Sequence, residues 1–242
     1  MGDLNELKRI IEDAENIVFF GGAGVSTDSG IPDFRGNGGI YTDTDEFDDP
    51  PQVILTTSYL HHQPKSFYRY YRSKMIYPYA EPNDAHYALA RLEQSGKLSA
   101  VITQNIDGLH QAAGSKNVIE LHGSIYRNHC VKCGRPYGLD HVLSCDSVPL
   151  CDDCGSLVRP DIVLFGEGLN NRDFARAEEA VNRADVLIVA GTSLTVHPAA
   201  SLVESFEGEH LIIINRSSTP YDDFAELVLR DSVSEVLSEA ID

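Results

Sequence analysis

The sequence predicts an α/β fold, a doubly wound parallel sheet broken by two insertions, and three observations lead there. Short apolar runs with few polar interruptions recur along the chain, as strands buried on both faces do. Amphipathic patterns at helical spacing fall between them. Two segments, 31–83 and 126–160, interrupt this alternation, and the second carries four cysteines in two C-x-x-C pairs.

Taken in order, Leu4, Leu7, Ile10 and Ile11 share one face of an N-terminal helix, which feeds a first strand, Ile17 to Phe20, ending at Gly21-Gly22. Ser99 to Thr103, Val118 to Leu121, Asp185 to Ala190 and His210 to Ile214 read as further strands. Ala85 to Ser95, Arg172 to Arg183, Pro198 to Glu204 and Ser232 to Ala240 read as helices. The 242 residues read as one unit: a large sheet domain from 1–30, 84–125 and 161–242, a helical or lid insertion at 31–83, and a cysteine-bearing insertion at 126–160. Thr42 to Pro51 is acidic, a composition that predicts mobility.

Net charge is -18, from 37 acidic against 19 basic residues, so the surface repels phosphate backbones and argues against nucleic-acid partners. No apolar run approaches the roughly eighteen residues of a membrane span, and no export signal is evident, so the expected location is the cytoplasm. In that compartment Cys130, Cys133, Cys151 and Cys154 read as ligands of one structural Zn²⁺, since two C-x-x-C turns close a tetrahedral site. Two disulfides are the alternative use of the same residues in an exported chain. With four sulfurs the ion has no open position for water, so catalysis must reside elsewhere. Cys145 is left over as a reduced bystander.

In such sheets ligands bind where strands end. After the first strand comes Gly22-Ala23-Gly24-Val25-Ser26-Thr27, where side-chain-free positions let backbone N–H groups approach a phosphate. Thr27 stands where a dinucleotide fingerprint has its third glycine, which weighs against a hydride-transfer dehydrogenase, and a glycine turn without a ligand stays open. After two later strands come Thr103-Gln104-Asn105-Ile106-Asp107-Gly108 and Glu120-Leu121-His122-Gly123-Ser124. Asn105 and Asp107, two apart on an extended segment, can reach one ligand or can cap the helix that follows. Histidine titrates near neutral pH without large perturbation, which suits His122 to general-base work.

Together with Gly30-Ile31-Pro32-Asp33-Phe34-Arg35-Gly36, Phe165-Gly166-Glu167 and Gly191-Thr192-Ser193, these motifs resemble the sirtuin family of NAD-dependent protein deacylases, in particular its compact bacterial and archaeal forms. The resemblance covers essentially the whole chain and implies a Rossmann-type large domain, a smaller module made of a four-cysteine zinc ribbon and a helical insertion, and a cleft between them for NAD and an acyl-lysine peptide. In that family the acyl oxygen attacks C1′ of the nicotinamide ribose, nicotinamide leaves, and the 2′-hydroxyl, activated by a base, attacks the resulting imidate. The products are free lysine, nicotinamide and 2′-O-acyl-ADP-ribose.

The resemblance implies catalytic roles for His122 as base, Asn105 on the ribose and an ordered water, and Asp107 on the nicotinamide amide. It implies NAD contacts from Gly22, Ala23, Gly24, Thr27, Asp33, Phe34, Arg35, Gln104 and Ile106. Gly191, Thr192, Ser193, Asn215, Arg216, Asp231 and Ser232 would face the adenosine half. The peptide would add as a strand between the segment of Val163, Phe165, Gly166, Glu167 and Gly168 and that of Thr195-Val196. His110 is expected to be packed and hydrogen-bonded.

Sirtuins that prefer acidic acyl groups share a Tyr-x-x-Arg pair, and alignment on Phe67-Tyr68 gives Tyr68 and Tyr71, with the arginine displaced to Arg72. The expected activity is therefore deacetylation of acetyl-lysine proteins or peptides by a monomer. Desuccinylation, another deacylation or mono-ADP-ribosyl transfer on the same fold are the alternatives, with a non-enzymatic zinc-ribbon protein well behind.

Overall fold

The computed structural model describes residues 2–34, 39–40 and 47–241. Half of the acidic run expected to be mobile (42–46), and Arg35, lie outside these residues. Along the chain the elements are α1 (Gly2–Asp13), β1 (Ile17–Gly21), α2 (Pro51–Ile54), α3 (Thr57–His62), α4 (Pro64–Tyr70), α5 (Asp84–Gln94), β2 (Leu98–Thr103), α6 (Leu109–Ala113), β3 (Val118–Glu120), β4 (Gly123–Cys130), β5 (Pro136–Tyr137), α7 (Leu139–Leu143), β6 (Val158–Ile162), α8 (Asn171–Arg183), β7 (Val186–Ala190), β8 (His210–Ile214), β9 (Leu227–Leu229) and α9 (Val233–Ala240). A π-helical turn, Tyr71–Met75, continues α4. Among the described residues, no helix is long and apolar enough to cross a membrane.

Six strands form a sheet in the order β3-β2-β1-β7-β8-β9, every neighbouring pair parallel. The chain builds outward from β1 in one direction and from β7 in the other, so the order reverses between them. That reversal opens a crevice beyond the C-terminal ends of β1 and β7. β1 is buried throughout, and its residues alternate: Ile17 and Phe19 join a core with α1, α5 and α9, whereas Val18 and Phe20 join one with α8. This is the expected Rossmann-type α/β class.

The sequence reading gave no strand for Leu227–Leu229, which forms the β9 edge. Three apolar residues after an acidic stretch are too few to show a period. Pro198 to Glu204, read as a helix, is a 3-10 helix over Ala199–Ser205.

A second sheet, β5-β4-β6, is antiparallel and carries the cysteine pairs at its end. Phe67, Tyr68, Tyr70 and Tyr71 of the helical insertion pack against Ile125, Leu139, Val142 and Ile162 of this sheet module in a third core. Around the cysteines themselves the apolar core shrinks to Cys130, Cys151 and Val158. So small a cluster needs a further source of stability.

Candidate active site

The crevice at the strand-order reversal is a cleft of about 520 Å³ that runs from the β1 and β7 loops to the second sheet, a size suited to an organic ligand. Its floor is made by two backbones in contact. Gly24 N–H donates to Gly191 O at 2.8 Å and Gly22 N–H to Ala190 O at 3.1 Å. A Cβ on Gly24 would lie 2.7 Å from Gly191 Cα, and one on Gly22 would lie 2.8 Å from Thr192 Cβ. The sequence reading let backbone N–H groups of this loop approach a phosphate; those of Gly22 and Gly24 are used to tie the loop to the end of β7 and to Gly191 just after it. Gly22 is buried beneath the floor and is absent from the described cleft wall, while Ala23, Gly24 and Thr27 line it.

Above this floor stands a polar cluster. Asn105 Nδ2 donates to Ser26 Oγ at 3.0 Å and to Gly22 O at 3.1 Å, and Ser26 Oγ donates to Asp107 Oδ2 at 2.7 Å. Leu109 N–H donates to Asp107 Oδ1 at 2.9 Å, so Asp107, one residue before the Gly108 N-cap, also satisfies the first N–H of α6. Burial raises the Asp107 pKa, opposed by the bonds from Leu109 and Ser26. Gln104 lines the same wall with its Nε2 buried and lacking a partner among the described residues, a donor awaiting an acceptor. Ile106 lines the wall too, but its carbonyl is committed to Ile125 N–H at 3.1 Å.

His122 occupies the turn between β3 and β4 and is half-buried. Its Nδ1 lies 2.9 Å from Gln104 O. A carbonyl can only accept, so Nδ1 carries the proton and Nε2 keeps the lone pair. Burial lowers the His122 pKa and the Gln104 bond partly offsets this, which keeps the ring neutral near pH 7. The arrangement supplies a neutral imidazole with a fixed tautomer in a cleft wall.

Toward the second sheet the cleft is lined by Val163, Phe165, Gly166, Glu167 and, opposite, Val196, whereas Gly168 lies outside the described wall. At the other end are Thr192, Ser193, Asn215, Arg216, Asp231 and Ser232. Ser232 caps α9 and its hydroxyl donates to Asp28 at 2.7 Å, which fixes that corner. Asp33 and Phe34 line the mouth. Several wall residues escaped the sequence reading as contacts: Ser26, Lys74, Met75, Tyr77 and His197. Ser26 was visible inside a motif, but nothing local reveals that its hydroxyl meets Asp107.

The four cysteine sulfurs lie within 4.8 Å of one another. Cys130 Sγ is 3.4 Å from Cys154 Sγ and Cys133 Sγ is 3.6 Å from Cys151 Sγ, far beyond a disulfide and close to the roughly 3.8 Å between sulfurs around a tetrahedral zinc ion. Lys132 and Cys133 N–H groups point at Cys130 Sγ, and Tyr137 Oη donates to Cys151 Sγ at 3.2 Å. The set fits a structural metal such as zinc. Cys145 stands outside it, its thiol on His141 O.

The sequence model of the Sir2 family matches residues 22–198. The chain belongs to the Sir2 family. A protein of Clostridium acetobutylicum named NAD-dependent protein deacetylase is 51% identical over 239 residues, 98% of each chain. One of Clostridium tetani with the same name is 50% identical and covers 100% of this chain and 98% of its own. A Sir2 variant solved with deacetylated p53 peptide and 3′-O-acetyl-ADP-ribose superposes with TM-score 0.89 at 42% identity, over 99% of this chain and 100% of that one. A Sir2 complex with p53 peptide and NAD⁺ gives TM-score 0.84 at 42% identity, over 97% and 95%.

In this Sir2 chain the tyrosines and arginine weighed for acyl choice are spent elsewhere. Tyr68 and Tyr71 are fully buried, Tyr68 Oη donates to Val158 O, and Arg72 lies over the Tyr68 ring while donating to Val142 O at 3.0 Å. None of the three is among the described residues of the cleft wall. His110 is buried against Phe19 and His86 as expected of a packed residue, but neither ring nitrogen has a hydrogen-bond partner among the described residues.

Proposed function

We propose that the protein is an NAD-dependent protein-lysine deacetylase, forming nicotinamide, free lysine and 2′-O-acetyl-ADP-ribose. The observation that carries this reading is the neutral His122, its proton held on Nδ1 by Gln104 O, in the same wall as the Ser26, Asn105 and Asp107 cluster. The names of the Clostridium relatives and the contents of the Sir2 complexes support it. When bound, NAD supplies the ribose carbon that takes up the acyl oxygen and the hydroxyl that finally carries the acyl group.

This chain's residues then have separable tasks. His122 Nε2 accepts the proton of that hydroxyl. Asp107, with one oxygen on Ser26 and the other on Leu109, offers its remaining lone pairs to a carboxamide NH₂. Asn105 spends Nδ2 on Gly22 and Ser26, which leaves Oδ1 to orient a ribose hydroxyl or a water. Gln104 Nε2 is the donor toward the ribose. Thr192, Ser193, Asn215, Arg216, Asp231 and Ser232 take the adenosine half, and the Val163–Gly166 and Val196 segments flank an acetyl-lysine backbone.

The same reading includes a monomer in the cytoplasm that does not bind nucleic acid, in keeping with the charge of -18. The test is incubation with acetyl-lysine peptide and NAD, analysed for nicotinamide and acetyl-ADP-ribose. Acetyl-lysine lost without NAD, or no acetyl-ADP-ribose formed with it, overturns the proposal.

A further inference from the structure

Glu167 lines the cleft, yet both its oxygens are occupied by the protein. Oε1 accepts from Arg159 Nη1 and from Thr57 Oγ1, each at 2.7 Å; Oε2 accepts from Arg159 Nη2 at 3.1 Å and Leu164 N–H at 2.9 Å. The sequence reading placed Glu167 in a segment that pairs with the peptide through its backbone; the hydrogen bonds of its side chain join three parts of the fold. Arg159 comes from β6, Thr57 opens α3, and Leu164 belongs to the segment beside the cleft. The remaining Arg159 donors hold Pro160 O at 3.1 Å and Ile162 O at 3.0 Å, so the guanidinium is fixed in its plane.

β6 in turn is registered on β4, with Val158 opposite Cys130 and Arg159 opposite His129. A metal ligand and the arginine that grips Glu167 are thus adjacent on one ladder. The cleft segment is fastened at two further points: Val163 N–H donates to His122 O at 3.0 Å and Phe165 N–H to Leu55 O at 2.8 Å. Gly166, at φ 88°, and the Glu167 N–H to Leu164 O bond at 3.0 Å close a tight turn between them.

We propose that Glu167 is a positioning residue: its bidentate pair with Arg159 and its bond from Thr57 hold the Val163–Gly166 backbone ready for an acyl-lysine peptide and couple that segment to the metal ribbon. This rests on the deacetylase reading. A peptide bound through its backbone gains from a segment already ordered, because the ordering entropy is then not charged to binding. Loss of the clamp should therefore weaken peptide binding and leave NAD, which would be held by residues of other walls, unaffected. Burial raises the Glu167 carboxyl pKa, but the bonds from Arg159, Leu164 N–H and Thr57 outweigh it and hold the group at about 2. The clamp stays charged at neutral pH and is no pH switch.

The test uses a labelled acetyl-lysine peptide, its Kd read by fluorescence anisotropy on zinc-loaded protein. Glu167→Gln, which keeps the size and loses the charge, is expected to raise Kd about fivefold or more, with the KM for NAD within about twofold. Arg159→Met is expected to do the same, and the double variant no more than the larger single effect. If Glu167→Gln does not fold, Thr57→Val removes one arm and is expected to shift Kd in the same direction. An unchanged Kd in a folded variant, a parallel rise in the KM for NAD, or additive single effects would overturn the proposal. Unaltered protein that binds the peptide but forms no acetyl-ADP-ribose would sink the deacetylase reading and leave this comparison of Kd values intact. Unaltered protein that binds no peptide sinks both.

Discussion

The Ser26 hydroxyl donates to Asp107 Oδ2 at 2.7 Å, joining loops 81 residues apart. The same oxygen accepts from Asn105 Nδ2 at 3.0 Å, so one small side chain satisfies both polar groups at the centre of the cleft. Ser26→Ala leaves them short of a partner in a buried place, a loss of about 1–3 kcal/mol. The expected result is a fall in kcat/KM for NAD of roughly tenfold or more. Steady-state kinetics with NAD varied at saturating peptide reads it, and an unchanged value would mean that Asn105 and Asp107 hold their places unaided.

The pH dependence of turnover follows from His122. Its pKa is lowered from 6.5, chiefly by burial. The active form is the neutral ring, so kcat/KM should be level above pH 6.5 and decline at lower pH, with a midpoint below 6.5. His122→Ala should lower kcat/KM by about 10²–10⁴-fold. Acetyl-ADP-ribose formation across the acid range checks both, and an acid midpoint above 6.5 would contradict the burial argument.

Stability should depend on pH through a different pair. His86 and His110 meet edge to face with centroids 4.7 Å apart, buried between α5 and α6. Burial pushes the His86 pKa down to about 4 and depresses His110 as well, with His86 contributing to the latter. Both rings ionise more readily in the unfolded chain, so their contribution is intact above pH 6.5 and is lost as pH falls toward 4. For His86 alone the loss is about 3 kcal/mol by pH 4, at about 1.4 kcal/mol per pH unit. Melting curves at a series of pH values should show this slope, and His110→Leu should flatten it.

The parts legible in the sequence were those written locally. Ile17–Phe20 is an unbroken apolar run closed by glycines, and the cysteine spacing stands in the chain itself. What stayed hidden depends on contacts distant in sequence. The glycines at 22 and 24 show that a side chain is excluded, but not that Gly191 and Thr192 exclude it. Glu167 follows Phe165-Gly166 as a motif, yet its partners Arg159 and Thr57 come from two other elements. Lys74, Met75 and Tyr77 reach the cleft because the aromatic run before them is anchored in the core under the second sheet.

Removal of the metal should act through folding. Apolar packing around the cysteines amounts to Cys130, Cys151 and Val158, with Tyr137 and Cys154 at its margin. A structural zinc ion contributes on the order of 10 kcal/mol to so small a module. Chelation should therefore release one zinc per chain, lower the melting temperature and abolish turnover together, all restored by added zinc. Cys151→Ser should reproduce the loss. Full activity in a metal-free protein would show that the ribbon holds its shape without an ion.

Acyl choice should follow from whether Tyr68 and Arg72 reach the cleft wall, and neither does among its described residues. Arg72 is turned into the metal module, where it donates to Val142 O at 3.0 Å and Ser147 O at 2.5 Å and lies over the Tyr68 ring. Tyr68 spends its hydroxyl on Val158 O, and Tyr71 is wholly buried. The π-helical turn that starts at Tyr71 and the packing of these aromatics under the second sheet leave no route by which Arg72 could swing to the cleft without breaking two hydrogen bonds. A succinyl carboxylate would then enter without the Tyr68 hydroxyl and the Arg72 guanidinium to offset its desolvation, a cost of several kcal/mol that Lys74, a point charge on the same wall, is expected to lessen only in part. Acetyl-lysine peptide should be turned over at least about a hundredfold faster than succinyl-lysine peptide at matched NAD. Tyr71→Arg, which restores the Tyr-x-x-Arg spacing in a buried position, is expected to destabilise the chain and not to confer desuccinylation, since Tyr68 remains tied to Val158. Comparison of kcat/KM for the two peptides decides the point, and faster succinyl turnover would place a cation other than Arg72 at the acyl group.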